Sequence, residues 1–209
     1  MSDEPPQPSS GSAPPVPNTP PKIASQLLGT PASCDPAGRH SASPNDRHSA
    51  ADPNDVESLD AIVTALYDAI SFQQGASPNW ERFRSLFEPT AVMVRVDPRM
   101  TAIPAREREE PAVRVSSIEG YIARTTAAID SGALTAFSER ELNRRTEVFA
   151  DLAHVFSTYE RSAEAGELRR GINSIQLVKD GARWWIVSLS WTDETDDGQL
   201  PSRYLPHPK

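Results

Sequence analysis

The apolar positions Val56, Leu59, Val63, Leu66 and Ile70 follow one another at spacings of three, four, three and four. That period lays a single stripe along a helix, with Ile62 and Tyr67 flanking it. Asn54 can cap the helix, Glu57 stands three residues on, and Gly75 lies beyond its end. A shorter helix is predicted after Pro78-Asn79, with Trp80, Phe83, Leu86 and Phe87 on its buried side and Pro89 as its stop. The period then changes to two. Residues 91–97 alternate, with Val92, Val94 and Val96 on one face and Met93, Arg95 and Asp97 on the other, which predicts a strand closed by Pro98. Residues 98–115 hold Pro98, Pro104, Pro111 and dense mixed charge, and predict mostly loop. Ser116-Ser-Ile-Glu119 reads as a capping box, and Ile118, Tyr121, Ile122, Thr125 and Ile129 carry a helix toward Gly132.

Four strands are predicted next, over 144–150, 153–164, 168–179 and 182–191. Asp180-Gly181 between the last two is a strong hairpin signal. In the last strand Trp184, Ile186 and Ser188 oppose Trp185, Val187, Leu189 and Trp191, so both faces are apolar and a central position is expected. Helices gathered on one face of a curved antiparallel sheet make an α+β domain.

Composition changes the picture at the N-terminus. Twelve of the 20 prolines fall within residues 1–53, and no aromatic residue precedes Tyr67. So little apolar surface does not offset the entropy of ordering a backbone, which predicts a disordered, Pro-rich tail over 1–53 with PxxP spacings. The expected folded domain is 54–193, followed by a C-terminal tail over 194–209. With one cysteine, Cys34, the chain forms no intrachain disulfide and builds no cysteine-rich zinc site.

The net charge of −8 is spread over interspersed signs, as in Glu139-Arg-Glu-Leu-Asn-Arg-Arg. No basic stripe stands out, which argues against nucleic acid as a partner. No run approaches the roughly 20 apolar residues of a membrane span, and the acidic start lacks the apolar run of a secretory signal. A cytoplasmic protein without membrane or nucleic-acid partners is the expectation. His154 is the one histidine between residues 54 and 193. Sites built on several imidazoles are therefore excluded, as are phosphate-binding glycine loops and dinucleotide fingerprints, so neither a metal nor a cofactor is expected.

The order of these elements and the residues filling them resemble the NTF2-like (SnoaL-like) superfamily. The likeness lies in Leu66-Tyr-Asp-Ala-Ile70, in Trp80-Glu-Arg-Phe-Arg-Ser-Leu-Phe87, in Ala91-Val-Met-Val and in Gly181-Ala-Arg-Trp-Trp-Ile-Val-Ser-Leu-Ser190. It implies a cone: a curved antiparallel sheet wrapped by about three helices around an apolar pocket, forming a homodimer through the sheet. The superfamily hosts isomerases, dehydratases, cyclases, epoxide hydrolases and binding proteins, so the fold leaves function open. Three roles follow: a module binding a small apolar molecule, a cofactor-free enzyme, or a dimeric interaction module.

Asp97 is the first candidate for catalysis, since ketosteroid isomerases of that superfamily carry their catalytic Asp before a proline. A carboxyl in an apolar cavity holds its proton more tightly, which suits a general base. Tyr67 stands where those isomerases place an oxyanion-donating tyrosine. Arg95 and Asp97 also read as the solvent side of a strand whose valines face the helices, and Tyr67 as a packed aromatic. His154 is either a pocket acid or a satisfied cross-strand residue. Trp80, Tyr121, Phe156, Asn173 and Ser188 are the expected pocket lining, with Asn173 and Ser188 alternatively bonding across a dimer interface.

Overall fold

The computed structural model describes residues 50–163 and 168–206. The predicted tail segment up to residue 49, with its PxxP spacings and Cys34, lies outside the described residues. Among those described, the order is α1 (Pro53–Val56), α2 (Leu59–Ile70), α3 (Trp80–Ser85), β1 (Phe87–Val96), α4 (Pro98–Thr101), β2 (Val113–Ser117), α5 (Ile118–Asp130), β3 (Phe137–Phe149), β4 (Leu152–Ala163), β5 (Arg169–Asp180) and β6 (Arg183–Asp193). None of the described helices is long and apolar enough to cross a membrane.

Caps fix where the helices begin. Asp52 caps α1, its carboxyl accepting from the Asn54 backbone N–H, and Ser58 opens α2 by accepting from Ala61. The single helix predicted with Asn54 as its cap is thus two, capped by Asp52 and Ser58 and broken at Glu57-Ser58. Asn79 caps α3 through Arg82, and Ser117 caps α5 through Gly120. The apolar stripe of α2 buries Ile62, Val63, Leu66 and Tyr67 against the sheet.

The six strands lie in the order β2-β1-β6-β5-β4-β3. Every neighbouring pair is antiparallel except β1 and β6, which run parallel. The cone is therefore corrected. The sheet is mixed, it is not strongly curled, and it is open, with β2 and β3 as its edges. Among the described residues five helices accompany it rather than about three, and α1, α3 and α4 span only 4, 6 and 4 residues. Only α2 and α5, at 12 and 13 residues, are long enough to cover strands. The physical reason for the mismatch is range: turn signals report antiparallel neighbours, whereas the β1–β6 pair joins segments about ninety residues apart and carries no local signature.

The last strand is central, as its two apolar faces predict. Gly181 takes φ 61° in the β5–β6 turn, the left-handed geometry that an Asp-Gly hairpin needs. Bulges interrupt β3 after Glu141 and the β5–β6 ladder after Gln176. The core sits on the helix-facing side, where Phe83, Phe87, Met93, Val155, Tyr159, Ile175, Leu177 and Ile186 are buried. On the outer side, the short turn Ser202–Tyr204 lies over β4, with Tyr204 stacked on Phe156 and its carbonyl accepting from the Thr158 hydroxyl at 2.7 Å.

Candidate functional site

Between α2, α3 and α5 and the helix-facing side of the sheet is a hollow of about 400 Å³. That volume lies within the range of small-molecule sites. Leu66, Ile70, Phe83, Met93, Leu189 and Trp191 give it an apolar wall, and Tyr121 adds an aromatic ring stacked on Phe83 with centroids 5.6 Å apart. Into this wall project Glu139 from β3, Arg161 from β4 and Asn173 from β5. Burial raises the proton affinity of the Glu139 carboxyl, pushing it up to about 7. The hydrogen bond from Asn173 and the charge of Arg161 act against that rise, and Asp193 adds to it.

Glu139 is held from several elements. Asn173 Nδ2 donates to its Oε1 at 3.0 Å and to the Tyr67 hydroxyl at 3.1 Å. Tyr67 Oη and Ser157 Oγ share a hydrogen bond of 2.6 Å, and Ser157 donates in turn to Glu141. Two carboxylates on β3 are thus joined through α2, β4 and β5 by a chain of buried polar groups. The Tyr67 phenol is pushed up by burial and by the nearby Glu139 charge, so it remains a neutral donor. Ser71, just past the end of α2, accepts from the Glu139 backbone N–H at 3.1 Å and donates to the Tyr67 carbonyl at 2.8 Å. Two backbone bonds between Phe72 and Phe137 fasten the same junction.

A second charged group borders the first. Arg161 binds Asp193 through Nε and Nη2, at 3.0 and 2.6 Å, and Tyr159 donates to Asp193 at 2.7 Å. Burial alone would raise the Asp193 carboxyl, but the Arg161 and Tyr159 hydrogen bonds outweigh it and hold it below the usual range. This arrangement depends on Gly171, where an added Cβ would stand 2.3 Å from the Tyr159 hydroxyl and 2.3 Å from the Thr192 carbonyl. The glycine leaves room for a side chain to lie across the backbone.

The expected site residues are dispersed over the fold. Tyr121 and Asn173 line the hollow, and Tyr67 is buried behind Asn173, which donates to its hydroxyl. Asp97 caps the short helix α4, accepting from the Arg99 N–H at 3.0 Å, and lines a neighbouring polar hollow with Asp193 and Glu194. His154 and Phe156 lie on the opposite side of the sheet, where His154 Nε2 shares a hydrogen bond of 2.8 Å with Ser174. Ser188 pairs with Val92 and Gln176 in the β-ladders. Trp80 packs edge-on against Phe83 and Tyr121, behind the wall of the hollow. Glu139, Arg161 and Asp193 escaped the sequence analysis. The one signal was the spacing of two between Glu139 and Glu141, which places both on one strand face.

No family model matches the chain, and no curated protein does. Solved structures described as NTF2-like or cystatin-like recur among those it resembles. An uncharacterised Caulobacter vibrioides protein with a cystatin-like fold is 14% identical over 66% of this chain and 89% of its own, with a TM-score of 0.48. An NTF2-like protein of unknown function from Shewanella baltica is 14% identical, covering 65% and 92%, with a TM-score of 0.41. The hexachlorocyclohexane dehydrochlorinase LinA-type3 of Novosphingobium barchaimii is 13% identical, covering 64% and 82%, with a TM-score of 0.46. At such scores these likenesses assign no activity to this chain.

Proposed function

We propose that this chain binds a small, mainly apolar molecule in the hollow between its helices and sheet. The observation that carries this is a carboxyl, Glu139, set in an apolar wall and oriented by Asn173. A polar group retained among apolar ones serves orientation of a ligand better than it serves stability. Thermal shift of the full chain with neutral, naphthalene-sized compounds tests it, after native mass spectrometry for a co-purified molecule. Compounds that stabilise the wild type should fail to stabilise Ala128→Trp, which fills the hollow from α5. Equal shifts in both would contradict the proposal.

One observation favours a second role, cofactor-free acid–base catalysis on the bound molecule. A carboxyl that exchanges its proton near pH 7 is matched to general acid–base work. Glu139 would carry the proton, while Tyr67 would act through Asn173 as a positioning residue. Asp97 and His154 line other hollows, and the step is assigned without them. The outer side of the sheet suits a second copy of the chain, because Val92, Val113 and Val115 are exposed there. Sedimentation at increasing concentration tests that arrangement.

A further inference from the structure

Where the hollow opens, the charges follow a pattern that packing does not explain. Arg95 on β1 stands directly opposite Arg114 on β2, and both line the hollow. Like charges facing each other across a ladder destabilise a sheet. Arg124 on α5 lines the same opening, its side chain donating to Ser116 Oγ at 3.2 Å. Three guanidinium groups from three elements thus share one opening.

Their counter-charges are modest. Arg114 meets Glu110 at 2.7 Å in an exposed pair four residues apart, and Arg95 stands 3.5 Å from Asp97 and also acts on the Asp193 carboxylate. Pairs this open to water are weak, so a ligand carboxylate can compete for the guanidinium groups. Arg161, the other cation of the hollow, is already engaged by both oxygens of Asp193. Glu139 belongs to the far edge strand, with β6, β5 and β4 between it and β1. The hollow therefore has a cationic end at β1, β2 and α5, an apolar middle at Met93, Leu189 and Trp191, and a carboxyl at its β3 end.

We infer that the ligand is an amphipathic organic acid whose carboxylate is held by Arg95, Arg114 and Arg124 while its apolar body lies along Met93, Leu189 and Trp191. Guanidinium groups suit this task because their planar N–H pairs match a carboxylate in two parallel hydrogen bonds. Orientation follows from the charge separation: the acid head is drawn to the arginines and kept from Glu139. The inference rests on the hollow being a ligand site, as proposed above.

Calorimetric titration of the full chain with octanoate, octan-1-ol and octylammonium, at about pH 8 and low salt, separates the two claims. Octanoate should bind at least about tenfold tighter than octan-1-ol. In Arg124→Gln, and in the double variant Arg95→Gln with Arg114→Gln, that advantage should shrink to about threefold or less. The melting temperature of each variant shows that it is folded, and octan-1-ol is the neutral reference in every titration. If octan-1-ol binds the wild type as tightly as octanoate, or octylammonium binds more tightly, the acid head is overturned and the ligand site stands. Failure of all three to bind overturns both.

Discussion

On one side of β1, Met93 is 2% exposed and Arg95 lines a hollow; on the other side of the same strand, Val92 is 42% exposed. The pattern continues across the edge, where Arg114 turns toward the helices while Val113 and Val115 turn away. Alternation along a strand states that two faces differ, but not which one is covered. Here the side with arginines is covered, because α5 packs over β1 and β2 and leaves an opening into which charged ends reach water. Among the described residues, the turn Ser202–Tyr204 packs against β3 and β4 on the valine side. The two sides thus differ along β1 and β2: one encloses a polar constellation in an apolar wall, and the other leaves Val92, Val113 and Val115 exposed.

The largest effects should come from the covered side. Met93→Lys puts an unpaired cation among Phe87, Leu189 and the α5 helix, and should destabilise by more than about 3 kcal/mol in urea titration. Asp193→Asn removes the counter-charge of Arg161 and weakens the Tyr159 hydrogen bond. It should cost on the order of 2 kcal/mol by the same measurement. Glu139→Gln keeps the Asn173 hydrogen bond but removes the titration. In the wild type the raised carboxyl contributes stability that is complete below its ordinary value of 4.5 and is lost as pH rises through about 7. Melting of the wild type should therefore weaken across that window by on the order of 2 kcal/mol, and Glu139→Gln should flatten that part of the profile. The smallest effect belongs to the outer side. Val115→Lys should leave the dilute chain within about 0.5 kcal/mol of wild type, while lowering any self-association seen by sedimentation. A large loss of fold stability there would erase the contrast between the two sides.

Local signals carried much of the fold. The stripe on α2, the helix after Ser117 and the Asp180-Gly181 hairpin are each written in adjacent residues, and each stands where its pattern predicts. β2 was hidden because five residues of alternating Val and Arg or Ser follow a proline-rich charged stretch. The β1–β6 parallel pair was hidden by distance. For the site, Tyr121 and Asn173 were legible as an aromatic and an amide on otherwise apolar elements. Glu139 was not, because β3 is charged along its length and reads as exposed. Its enclosure arises only when Ser71 and Phe72, at the end of α2, dock on that strand. Gly171 was silent for a similar reason, since the ring it admits comes from the neighbouring strand.

The enclosure of Glu139 is the claim on which the site depends, and its titration is the most direct test. The carboxyl carbon can be followed by carbon-13 NMR in the full chain, with Glu139→Gln to assign the signal. Asn173, Arg161, Asp193, Tyr67 and Tyr121 all bear on this group, so Asp193→Asn serves as a second control: freeing Arg161 should move the midpoint down. A wild-type midpoint near 7 is the predicted result. A midpoint close to the ordinary 4.5 would mean that Glu139 is solvated like any surface carboxylate, and would contradict the account.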